Sequence, residues 1–163
     1  MTQKSLTAVY LRRGKEESLE RCHPWIFSGA IERITEGLKP LSEGDIVDVY
    51  TKQGNFIARG HYQIGSIAVR VLSFEEESID QAWWNRRIAA AKALRESLGM
   101  VDNAQTSCYR LIHGEGDLLP GLVVDIYERT AVVQCHSVGM YHSRSQIAEA
   151  IREAYGDRIE AIY

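Results

Sequence analysis

The stretch Arg110-Leu111-Ile112-His113-Gly114-Glu115-Gly116-Asp117-Leu118-Leu119-Pro120-Gly121-Leu122-Val123-Val124-Asp125-Ile126-Tyr127 decides the fold. Three glycines, a proline and two carboxylates sit here between two apolar runs. Such a density of special residues specifies a backbone path as well as a hydrophobic pattern. A dinucleotide loop would run from a strand through glycines spaced GxGxxG into a helix whose N-terminus meets the phosphates. Here Gly114 and Gly116 lead through Asp117-Leu118-Leu119-Pro120 to Gly121 and into another strand, and Asp117 would repel a phosphate. Glu115 and Asp117 lack the partner set of a hard-metal site. The stretch reads as a turn joining two strands.

Downstream the pattern continues with a tight turn at Glu128-Arg129, a strand over Ala131 to Cys135, a helix from about Tyr141 to Tyr155 and a strand-like Arg158 to Tyr163. That last run stops without a polar tail, which predicts that a neighbouring strand belongs beyond it. Upstream, a polar loop over Val101 to Ser107 follows a helix from about Asp80 to Leu98 that stops at Gly99. Its apolar positions Trp83, Trp84, Ile88, Ala91, Leu94 and Leu98 share one broad face. Ahead of the acidic run Glu75-Glu76-Glu77 come strands over 6–13, 30–34, 45–50, 56–62 and 67–74, separated by turn chemistry. A helical turn near Ser18 is halted by His23-Pro24. Short strands at this spacing indicate a small barrel or tightly curved sheet. The chain is therefore α+β: a first domain over 1–75, a connecting helix and loop over 76–107, and a mixed domain of strands and a helix over 108–163.

Composition narrows the function. The 163 residues carry a net charge of -3, which excludes a uniformly basic nucleic-acid binder but not a local basic face. Lys4, Arg12, Arg13, Lys15 and Arg21 outweigh Glu16, Glu17 and Glu20 near the start. No run reaches the roughly 20 apolar residues of a membrane span, and the first residues lack the basic region, apolar run and small-residue cleavage site expected of a signal peptide. Cys22, Cys108 and Cys135 are odd in number and widely spaced, so a reduced cytoplasmic protein without a disulfide framework or CxxC metal site is expected.

No catalytic set emerges. Cys22 beside His23 lacks an orienting acid, His136 and His142 fit no zinc spacing, and HExxH, GxSxG and Walker A patterns are missing. Arg12, Arg13, Lys15 and Arg21 are candidates for backbone phosphates. His23 and Trp25 offer an aromatic platform for a base. The competing expectation is that Trp25 and Phe27 are core.

Glu17-Ser18-Leu19-Glu20-Arg21-Cys22-His23-Pro24-Trp25-Ile26-Phe27-Ser28-Gly29-Ala30-Ile31, Gly44 to Tyr50, Gly54 to Tyr62 and the Arg110–Tyr127 stretch together resemble the bacterial 23S ribosomal RNA cytosine-5 methyltransferases of the large-subunit methyltransferase I type. The resemblance runs from residue 8 to the end. It implies a PUA domain, an RNA-binding pseudo-β-barrel, followed by an incomplete mixed α/β domain. A methyltransferase domain with the catalytic cysteine and the S-adenosylmethionine site would lie beyond Tyr163. Leu118 departs from the glycine that the family tends to carry after the aspartate.

On this resemblance no catalytic, cofactor or metal residue is carried over and the chain alone is expected to be inactive. The parent would methylate carbon 5 of a cytosine after a cysteine adds to carbon 6. Its partners would be structured RNA, 23S ribosomal RNA above all, and its own C-terminal methyltransferase domain. Arg59, His61 and Arg70 join Arg12, Arg13, Lys15, Arg21 and His23 as RNA-contact candidates, with Tyr62 as a stacking residue. The alternative is a freestanding RNA-binding or scaffold protein, dimerising through its terminal strand.

Overall fold

A computed structural model describes residues 6–163; Lys4 lies outside them. The chain divides into two units, one running to Glu77 and including Ser137–Gly139, the other comprising Ser78–His136 and Met140–Tyr163.

In the first unit β1 (Thr7–Leu11), β2 (Trp25–Phe27), β3 (Ile31–Thr35), β4 (Ile46–Tyr50), β5 (Phe56–Tyr62) and β6 (Ile67–Ser73) form one sheet in the order β2-β6-β5-β4-β1-β3. The β1–β4 pairing is parallel and the others antiparallel. Alternation sets the faces: Val9 and Leu11 of β1, Val47 and Val49 of β4, and Val69 and Val71 of β6 turn into the core. Leu19 of the short helix α1 (Glu17–Glu20) and Ile26 join them. Register shifts in four pairings bend the strands and curl the sheet. Gly60 is required at one of these bends, because a Cβ there would lie 2.9 Å from the Val71 Cα.

Near the start of the second unit the Asp80 side chain accepts the Trp83 N–H at 2.9 Å and caps α2 (Gln81–Ser97). Trp83, Trp84, Ile88 and Ala91 are buried. Leu94 and Leu98, expected on the same face, are instead 49% and 60% exposed, because the last turns of α2 bury Arg95. β7 (Cys108–His113), β8 (Leu122–Tyr127) and β9 (Thr130–Cys135) form an antiparallel sheet, and β10 (Ala161–Ile162) pairs parallel to β9 on its far edge. The helix expected over 141–155 is two: α3 (Val138–His142) and α4 (Arg144–Tyr155), separated by the buried Ser143. Ile147, Ala150, Ile151 and Tyr155 recur at three- and four-residue steps along the buried stripe of α4.

Candidate nucleic-acid interface

β2 carries one aromatic cluster of the first unit. Of its three residues only Ile26 is buried; Trp25 is half-buried and Phe27 is 49% exposed. The expectation that Phe27 is core is therefore corrected: a three-residue strand sends one side chain inward and its neighbours to the other face. Lys15, Ser18, Trp25, Phe27 and Gly29 contribute to a cleft of about 360 Å³ between α1 and β2. The Trp25 and Phe27 rings meet edge to face at 6.4 Å, and His23 meets Trp25 in the same manner at 5.9 Å. The Trp25 N–H donates to His23 Nδ1 at 3.2 Å, which fixes the imidazole beside the indole.

The chain approaching this face is held by backbone geometry. Cys22 adopts φ +59°, and the Cys22 and His23 N–H groups return to the Leu19 and Ser18 carbonyls at 2.8 and 3.0 Å. Cys22 thus closes α1 in the left-handed conformation, a structural role. Arg12, Arg13, Lys15, Arg21 and His23 are all exposed. Arg12 Nε donates to the Ile31 carbonyl at 3.2 Å. Among the described residues none of Arg12, Arg13, Lys15 and Arg21 is held in an ion pair, so their charges remain open to an anionic partner.

Four further candidates separate. Arg70 lies directly across from Trp25 in the β2–β6 register, half-buried, and its Nη1 donates to Gln63 Oε1 at 2.6 Å. Tyr62 is half-buried at the end of β5. Arg59 and His61 are only 4% and 3% exposed, which removes them as phosphate contacts. Arg59 faces Asp48 across β4 and β5, donating to its two oxygens at 2.6 and 3.0 Å and to the Glu77 carbonyl. The hydrogen bond to Asp48 pushes the guanidinium pKa up against the opposing effect of burial. Neither burial is visible without the strand register.

The Gly114–Asp117 segment forms one turn of 3-10 helix between β7 and β8. Asp117 accepts from Arg95 Nη1 and Nη2 at 2.5 and 2.8 Å and from the His113 N–H at 2.6 Å. Arg95 Nε donates to the Arg110 carbonyl at 3.0 Å. Both side chains are about nine-tenths buried or more. The carboxylate is thus committed to holding the turn, and the turn enters a strand. This geometry does not fit a nucleotide or S-adenosylmethionine loop, which needs backbone N–H groups at a helix N-terminus. Among the described residues no group of three His, Cys, Asp or Glu side chains could hold a metal, and no helix is long and apolar enough to cross a membrane.

Residues 9–74 match the family model of the PUA-like domain. The ribosomal RNA large subunit methyltransferase I of Photobacterium profundum is 42% identical over 151 residues, which are 91% of this chain and 37% of that protein. The protein of the same name from Vibrio vulnificus is 40% identical over 151 residues, and that from Shigella boydii 40% over 149, covering 37% and 36% of their lengths. A putative SAM-dependent methyltransferase from Streptococcus mutans superposes with a TM-score of 0.78 at 19% identity, over 95% of this chain and 40% of that one. A putative methyltransferase complexed with SAH superposes equally well, also at 19% identity. At that identity the two structures establish the fold alone. The chain spans little more than a third of the curated relatives it matches. Residues 9–74 thus match a PUA-like domain and are followed by a second α/β unit, and 151 residues of the chain are similar to one part of the ribosomal RNA large subunit methyltransferase I proteins.

Proposed function

We propose that this chain is the RNA-recognising, substrate-positioning portion of a cytoplasmic ribosomal RNA methyltransferase. The methyl transfer itself, from S-adenosylmethionine to carbon 5 of a cytosine, belongs on this reading to the part of the longer relatives that the chain does not span. The observation that carries the proposal is the cleft between α1 and β2. There an exposed Phe27 and a half-buried Trp25 stand with Lys15, and the same unit exposes the cations Arg12, Arg13 and Arg21. Rings offer stacking area to unpaired bases, and unpaired cations take phosphates. The relatedness to ribosomal RNA methyltransferases directs the choice of RNA.

Nothing in the second unit supplies a cofactor loop, so no step of the transfer is assigned to these residues. Their work is to bind and orient. Titrating fluorescent 23S ribosomal RNA fragments with the chain tests the reading: binding should be measurable at low salt and weaken steeply as salt rises. No binding at low salt, or binding indifferent to salt, overturns it.

A further inference from the structure

A second surface with the chemistry of a nucleic-acid contact lies in the second unit, where α3 gives way to α4. Tyr141, in the last turn of α3, is 55% exposed. The Arg144 guanidinium carbon stands 4.2 Å from the centre of its ring, and Arg144 Nη1 donates to the Tyr141 carbonyl at 2.9 Å. The buried Ser143 lies between the two helices. The His142 ring lies 6.4 Å from the tyrosine ring, tilted by 53°. Burial pushes the Cys135 thiol up and the Arg144 charge opposes it, while His136, the next residue in the chain, is exposed.

The charge pattern is as informative as the geometry. The chain has 22 acidic residues, yet none falls between Thr130 and Ala148, a stretch that holds His136, His142 and Arg144. Among the described residues Arg144 makes no ion pair with a carboxylate. A cation–π pair that served only to brace the helix junction would need neither the exposed ring nor an arginine free of carboxylate partners. A guanidinium held against a solvent-exposed ring instead pre-orders two groups at once, a flat surface for a base and a forked donor for a phosphate.

We propose that Tyr141 and Arg144 form a second RNA contact, with an unpaired base stacking on Tyr141 and the adjacent phosphate paired with Arg144. The inference rests on the RNA-binding reading above. Its test compares the wild-type chain with Tyr141→Ala, Tyr141→Phe and Arg144→Ala by fluorescence anisotropy on a 23S ribosomal RNA fragment bearing unpaired nucleotides. Circular dichroism confirms that each variant is folded. Tyr141→Ala should weaken binding about tenfold, the scale of one lost base–aromatic stack, while Tyr141→Phe should stay within about twofold. Arg144→Ala should weaken binding and make its salt dependence shallower. Wild-type affinity in both alanine variants overturns this contact and leaves the cleft between α1 and β2 standing. Failure of the wild-type chain to bind at all overturns both. Should either alanine variant unfold, arginine footprinting on the wild-type chain decides: bound RNA should shield Arg144 from phenylglyoxal, and unchanged labelling overturns the contact.

Discussion

Leu118 sits at φ +57°, ψ +31°, in the left-handed region where a Cβ costs about 1–2 kcal/mol. The turn demands this conformation because the Leu118 and Leu119 N–H groups close back on the Glu115 and Gly114 carbonyls. With the side chain 41% exposed, little packing offsets the strain. Leu118→Gly should therefore stabilise the second unit by about 1 kcal/mol, read as a higher urea midpoint at unchanged slope. The backbone at Leu118 is thus one that favours the glycine the resemblance leads us to expect there. Asp117 next to it behaves differently. Removing its carboxylate strands the buried Arg95 guanidinium and the His113 N–H. Asp117→Ala should cost about 3 kcal/mol, the scale of breaking a buried pair on one side only. The double variant Asp117→Leu with Arg95→Met should recover most of that loss, and a double-mutant cycle in urea checks it.

At the scale of elements, the strands were legible where burial imposes strict alternation, as in Val47 and Val49 of β4, and α2 where Asp80 and Gly99 bracket it. Legibility ended where the structure depends on which strand lies beside which. Asp48 and Arg59, or Arg110 and Asp125, are ordinary surface charges until the registers set them opposite each other. For the same reason Arg59 and His61 read as exposed cations, whereas the exposure of Arg12, Arg13, Lys15 and Arg21 in turn-rich segments needed no register. The break at Ser143 left no mark, since serine is tolerated within helices. One contact between elements has a measurable pH signature. The Tyr109 and Tyr155 hydroxyls, from β7 and α4, lie 2.8 Å apart. Burial pushes both phenols up; their mutual bond raises Tyr155 further and holds Tyr109 back. The native state thus favours the neutral phenols. Their contribution to stability is complete below the unfolded value near pH 10 and is lost as pH climbs toward the raised native values. Urea midpoints should fall as pH rises above about 10, and Tyr155→Phe should show a shallower fall.

For the whole molecule, the net charge of -3 opposes association with an RNA polyanion, so binding must draw on local charge and on stacking. These two contributions answer to salt differently. A cation that neutralises a phosphate releases counterions, and each such contact adds about 0.7 to 0.9 to the slope of log K against log salt. A ring that stacks on a base releases none. Arg12→Ala combined with Arg13→Ala should therefore weaken binding to 23S ribosomal RNA fragments most at low salt and lower the slope by one to two units. Phe27→Ala should weaken binding about tenfold at every salt concentration and leave the slope unchanged. Affinities measured from low to physiological salt separate the two effects. If Phe27→Ala changed the slope while the arginine pair did not, the face between α1 and β2 would be bracing the fold and the charges would lie elsewhere on the chain.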